Sequence, residues 1–100
     1  MKQDFYRFLG LATRANKVVS GEDTVMRGIK TKRFHLVLIS EDASTNTNKQ
    51  FYDKCSHYHI PIRQAGTRQA LGEAIGKRER VVIGITDKGF SEKMIRMLEQ

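Results

Sequence analysis

The sequence predicts an α/β protein, a three-layer α/β/α sandwich. Two observations carry this. Two apolar runs of strand length, around Leu36–Ile39 and Val81–Ile85, are continuous rather than alternating, as in strands covered on both faces. Segments with apolar residues at helical spacing flank them, so strands and helices alternate along the chain. A third, the length of 100 residues, fits one domain spanning 1–100 and suffices for a compact core.

Phe5, Phe8, Leu9 and Ala12 recur at helical spacing and predict an amphipathic helix over 3–14. Lys17–Ser20 is short and β-branched, a brief strand. Gly21-Glu22-Asp23 opens a second helix, with acids in its first turn where the helix dipole favours them and Val25 and Ile29 as its buried stripe. His35–Ser40 reads as a central strand. Glu41–Ser44 is a polar loop ending in an N-cap. Phe51, Cys55 and Tyr58 line one face of a third helix. Ile60-Pro61-Ile62 is extended, and proline places it at a strand start or edge. Thr67 caps a fourth helix carried by Leu71, Ala74 and Ile75. Val81–Ile85 is the second buried strand. Phe90, Met94, Ile95 and Leu98 build a fifth helix. Phe5, Phe8, Phe51 and Phe90 are expected in the core, with Tyr6 and Tyr52 free.

Lysine and arginine number 18 against 11 acids, a formal charge of +7. Both halves are basic, so the charge decorates a folded surface and is not a tail. A basic small domain favours polyanions, nucleic acid first. Two clusters, Lys30, Lys32 and Arg33, then Lys77, Arg78 and Arg80, read as solvated turns or as parts of a binding surface. The single cysteine forms no internal disulfide. Met1–Arg7 contains an acid and no apolar run, so no signal peptide is expected, and no run approaches the ~20 residues that cross a bilayer. A cytoplasmic monomer with no membrane partner is the expectation.

The phosphate-loop, nucleophile-elbow and dinucleotide fingerprints are all absent. Asp87 reads as a helix cap rather than a catalytic acid. Cys55-Ser56-His57-Tyr58-His59 offers at most two ligands on one helical face, and a closed zinc site needs four. We therefore expect no enzyme, no metal and no cofactor. The favoured surface is the junction at 20–30. A helix N-terminus after glycine presents N–H groups and a positive dipole end to phosphate, with Lys17 on the preceding strand and Arg27 one turn inside.

Three stretches resemble kink-turn-binding ribosomal proteins, a fold shared with Gadd45. They are Val19–Gly28 at the loop and second helix, Leu36–Ser44 at the central strand and acidic loop, and His59–Ile62 followed by Gly66–Gly72. The likeness spans nearly the whole chain and looks closest to small bacterial ribosomal-protein-like members. It implies a sandwich around a four-stranded mixed sheet. It also implies binding to a kink-turn, a sharply bent RNA internal loop with tandem sheared G·A pairs, and hence structured RNA, ribosomal RNA or the ribosome as partners. Carried over by position, Gly21 matches the glycine that opens the helix, Asp23 the usual asparagine, Thr24 the usual glutamate and Arg27 the lysine. Ala65-Gly66-Thr67-Arg68 matches a loop supporting a bulged nucleotide. Asp23 and Thr24 depart from the pattern: an ionised carboxylate only accepts hydrogen bonds, and a hydroxyl is shorter than a glutamate. The expected RNA-binding set is Lys17, Ser20, Gly21, Glu22, Asp23, Thr24, Arg27 and Lys30, with Arg63, Ala65, Gly66, Thr67 and Arg68 from the 63–68 loop. The alternative is a protein–protein interaction module of the same fold that has lost specific RNA reading.

Overall fold

A computed structural model describes residues 2–99 of the chain. The elements follow in the order α1 (Lys2–Arg14), β1 (Val18–Ser20), α2 (Glu22–Lys30), β2 (Leu36–Ile39), α3 (Thr45–Tyr58), β3 (Ile62–Gln64), α4 (Arg68–Ala74), β4 (Val82–Ile85) and α5 (Lys88–Leu98). The predicted alternation of strands and helices is what the chain adopts.

Local chemistry explains most boundaries. The Ser44, Thr67 and Asp87 side chains each accept from the backbone N–H three residues on, opening α3, α4 and α5. Each satisfies one donor that a helix start leaves without a partner. α3 ends where His59 turns left-handed at φ 59°, which takes His59 off the helical face that Cys55 shares.

The strands form one sheet in the order β1-β4-β2-β3. β2 and β3 run parallel, and β4 runs antiparallel to both of its neighbours, so the sheet is mixed. β2 and β4 occupy the centre and are buried at every position, as continuous apolar runs predict. β3 is an edge strand, and Pro61 precedes it as proline at a strand start requires.

Helices cover both faces. Phe5, Leu9, Leu71, Ile75 and Met94 of the α1, α4 and α5 layer pack on Leu36, Leu38, Ile83 and Ile85. Val25, Ile29, Phe51 and Cys55 of the α2 and α3 layer pack on Val37, Ile39 and Val82. The alternate residues of β2 thus feed the two cores in turn, as the period of two demands.

Phe34 joins α2 to the sheet. Its ring occupies the space where a Cβ on Gly28 or on Gly84 would sit. The two glycines let helix and strand close on one buried ring. Phe8 and Phe90 are only half-buried, unlike Phe5 and Phe51. They stack on each other at 5.0 Å, with Lys93 Nζ 5.0 Å from the Phe8 centroid, in a contact between α1 and α5 rather than in the core.

Candidate nucleic-acid interface

β1, β2 and β3 point the same way, and β4 opposes them. The C-terminal ends of three strands and the start of the fourth therefore meet at one end of the sheet. Segments distant in sequence are gathered there: the β1–α2 turn, the loop after β2, the loop after β3 and the segment entering β4.

Gly21 makes the turn from β1 into α2 at φ 100°. That conformation suits glycine because it has no Cβ to clash. Its N–H donates to Val82 O at 3.2 Å, and its carbonyl accepts from Val25 N at 2.9 Å, so the helix start is tied to the first residue of β4. Nothing lies within 4 Å of where its Cβ would be, leaving the backbone open to a ligand. Glu22, Asp23 and Arg27 are exposed, and Thr24 is half-buried. Arg27 Nη2 reaches back to Thr24 Oγ1 at 3.5 Å, so the two departures at 23 and 24 and the basic side chain share one turn.

The other loops are fastened to this turn. Arg80 Nε donates to Ser20 Oγ at 3.1 Å, and Arg80 N donates to Arg68 O at 3.0 Å. Arg68 in turn grips the loop after β2. Its N–H donates to Asp42 Oδ1 at 3.1 Å and its Nη2 to Asp42 O at 2.6 Å. Glu41 N donates to Gly66 O at 2.7 Å. Desolvation would raise the Asp42 carboxyl, but the adjacent Ser40 hydroxyl, the Arg68 N–H and the Arg68 charge together outweigh it and hold it below the ordinary value.

Not every predicted residue gathers here. Ser20, Gly21, Glu22, Asp23, Thr24 and Arg27 do, with Gly66, Thr67 and Arg68 across the sheet end. Lys17 stands at the opposite end of β1, where its carbonyl accepts from Thr86 N at 2.9 Å. Lys30 lies in the last turn of α2, about 12 Å along the axis from Glu22, and faces the groove against α3. Arg63 sits in the middle of β3 and pairs with Glu99 at 3.3 Å. The Ala65 side chain is buried in the core, and its N–H donates to Ile39 O. Strand direction separates Lys17, and strand pleating turns Arg63 and Ala65 away from the loops. Tyr6 is not free either: it packs edge-on to Phe5 at 5.8 Å and fills the space beside Gly66 that a Cβ would need. Tyr52 is exposed, as expected.

Sequence reasoning missed Arg80 as the bridge and Asp42 as its anchor. The basic run Lys77, Arg78 and Arg80 held the signal, but spacing cannot tell which guanidinium turns inward. The Cys55 thiol is buried and pushed up to about 12, the condition of an inert thiol. Among the described residues no group of three or more His, Cys, Asp or Glu side chains is placed to hold a metal. No described helix is long and apolar enough to cross a membrane.

Residues 3–95 match the model of the ribosomal protein L7Ae/L30e/S12e/Gadd45 family. The chain is 49% identical to the RNA-binding protein YlxQ of Bacillus subtilis, over 96% of each protein. It is 35% identical to the RNA-binding protein YlxQ of Enterococcus faecium, covering 98% of this chain and 94% of that one. Among solved structures, a protein of unknown function from Bacillus halodurans superposes with a TM-score of 0.93 at 44% identity, over 96% of this chain and 97% of that one. The Giardia lamblia 15.5kD RNA binding protein shares the fold, with a TM-score of 0.83 at 16% identity, over 97% of this chain and 86% of that one.

Proposed function

Because this chain belongs to the ribosomal protein L7Ae/L30e/S12e/Gadd45 family, we propose that it is a non-enzymatic cytoplasmic protein that binds structured RNA of the kink-turn type. RNA binding itself is the property for which its YlxQ relatives are named. The carrying observation is the sheet end, where an open Gly21 backbone, the α2 N-terminus and Arg27 are held in register with the Thr67 loop by Arg80 and Arg68.

The division of labour follows from the chemistry. The free N–H groups of the first α2 turn and the Arg27 guanidinium take phosphate oxygens. Glu22 and Asp23 repel phosphate but accept hydrogen bonds from base N–H groups, as the guanines of sheared G·A pairs present them. A rigid end that mixes both tendencies selects a bent RNA over a uniform duplex, whose phosphates meet the acids. The net charge of +7 steers the RNA inward. Ribosomal RNA, with the protein docked on the ribosome, fits this reading.

The test is a pair of titrations, with a kink-turn RNA and with the same RNA carrying Watson–Crick pairs in place of its G·A pairs. The proposal expects tighter binding to the first. Equal affinity would reduce it to general RNA binding, and no RNA affinity at low salt would favour a protein-binding module instead.

A further inference from the structure

Helix α1 carries an apolar ridge on its outer face, away from the α2 and α3 layer. Leu11 is 48% exposed and lines two open grooves, one on either side of it. The first, about 490 Å³, lies between α1 and α4, past Tyr6 and Ala74. The second, about 320 Å³, lies between α1 and α5, past Phe8 and Met97. These four walls are half-buried, and Arg7 and Leu11 belong to both linings, so the two form the ridge between the grooves. One exposed leucine is ordinary. A leucine standing between two grooves is the relief into which the side chains of a second helix interdigitate. Both grooves are too open to enclose a small molecule, which commonly buries ~70–90% of its surface.

Cations surround the ridge. Arg7, Arg14 and Lys93 line the grooves against one acid, Asp4, whose Oδ1 is 3.7 Å from Arg7 Nη1. Arg14 Nη1 comes within 3.8 Å of where a Cβ on Gly10 would stand, so this guanidinium folds back along α1. Lys93 Nζ is held 5.0 Å from the Phe8 centroid. Among the described residues neither Arg14 nor Lys93 takes part in an ion pair. Arg7, Leu11 and Arg14 stand at i, i+4 and i+7, so the arginines bracket the leucine on one face, about 10 Å apart along the axis.

We propose that this face of α1 docks an acidic amphipathic helix of a partner protein, with Leu11 as its apolar anchor and Arg7, Arg14 and Lys93 as the cations that select the partner's charge. Such a helix lays leucine-like side chains into the two grooves and places carboxylates about seven residues apart against the two arginines. Charge sets the occupant. A second copy related by a two-fold axis through Leu11 would oppose each Arg7 to the other's Arg14, like against like. An RNA backbone would meet the cations but would bury an aliphatic ridge that offers phosphate nothing. Aromatic, methionine and arginine side chains around a desolvated centre are also what protein interfaces enrich. The inference does not rest on the RNA-binding reading, because the face lies outside the Gly21 turn and the loops gathered with it.

The experiment titrates the full chain, labelled with nitrogen-15, with a synthetic helical peptide that carries leucines at i, i+3, i+4 and i+7 flanked by glutamates. A control peptide has lysines in place of the glutamates. Saturable amide shifts at Leu11, Arg14, Ala74 and Met97 are expected with the glutamate peptide, and binding at least tenfold weaker with the lysine peptide. Leu11→Ala, which keeps the helix, is expected to weaken the glutamate peptide about tenfold, and Arg14→Glu to narrow or reverse the preference, both with folded spectra. Kink-turn RNA affinity is expected to be unchanged in Leu11→Ala. No saturable shifts at these amides, equal affinity for the two peptides, or full peptide binding by Leu11→Ala would each overturn the proposal. So would the same amides shifting with RNA, or RNA affinity lost in Leu11→Ala, since either would make this face nucleic-acid surface. Peptide docking without any RNA affinity would sink the proposed function and leave this surface standing.

Discussion

Arg80 and Ser20, sixty positions apart, are joined by a 3.1 Å hydrogen bond from Nε to Oγ. The same arginine donates its backbone N–H to Arg68 O. One residue thus sets the spacing between the turn that opens α2 and the loop that opens α4. The bond runs across the mouth of the proposed RNA site rather than into the core.

Arg80→Ala removes this brace. Loss of a hydrogen bond from a charged donor predicts a stability cost of about 1.5–3 kcal/mol, read by denaturant unfolding. RNA affinity is expected to fall more than tenfold, beyond what one lost positive charge explains. Arg80→Lys, which keeps the charge but not the planar donor, is expected to recover the salt dependence and not the affinity.

Arg27→Ala is expected to weaken RNA binding by roughly 1–3 kcal/mol, and Lys32→Ala by much less. Arg27 leans on Thr24 one turn from the helix start, whereas Lys32 lies beyond the far end of α2. Equal losses in a filter-binding titration would mean that charge is read diffusely over the surface.

The Asp42 carboxyl is held below the ordinary carboxylate value in the folded chain by the Ser40 hydroxyl and by the Arg68 N–H and charge. A depressed carboxyl contributes stability that is fully present above its unfolded value and is lost as pH falls through the folded one. Asp42→Asn is therefore expected to be less stable than the parent at pH 7, with the gap closing below about pH 4. Urea unfolding at pH 7, 5 and 3 checks the trend. A gap that does not vary with pH would mean that ionisation of Asp42 is not its cause.

Phe34 fills the space above both Gly28 and Gly84. Phe34→Ala is expected to cost about 3–5 kcal/mol, and Gly84→Ala about 1–3 kcal/mol by overpacking the same ring. In the double variant the methyl occupies part of the vacated space. Its loss should be smaller than the sum, which a double-mutant cycle measures.

Much of the architecture was written locally. Ser44, Thr67 and Asp87 announced three helix starts because a cap needs only a side-chain oxygen and an N–H three residues away. The central strands were legible as unbroken apolar runs, since burial on both faces leaves no polar alternation to find. Phe8 and Phe90 were misplaced in the core because helical spacing marks a stripe but not its depth. The pair lies between two helices, where the core ends.

The site was half legible. Gly21 and Arg27 stood out because a turn into a helix and a basic residue one turn on form a local pattern. Lys17 and Arg63 were drawn in by their nearness in sequence to the two loops and Ala65 by the resemblance of the 65–68 loop, yet a strand carries its neighbours away by about 3.3 Å per residue and turns alternate side chains to opposite faces. The contacts of Arg80 with Ser20 and of Arg68 with Asp42 join segments far apart in sequence, which no local pattern shows.

By itself, then, the sequence determined what each segment becomes: the helices with their caps, the buried strands, the turn at Gly21 and a basic surface suited to a polyanion. Those properties depend on residues within a few positions of one another. Only the tertiary structure decided which loops meet. The order β1-β4-β2-β3, with three strands pointing one way, carries Ser20, Asp42, Gly66 and Arg80 to a single end of the sheet. That gathering depends on strand pairing between distant segments, which composition and spacing do not encode.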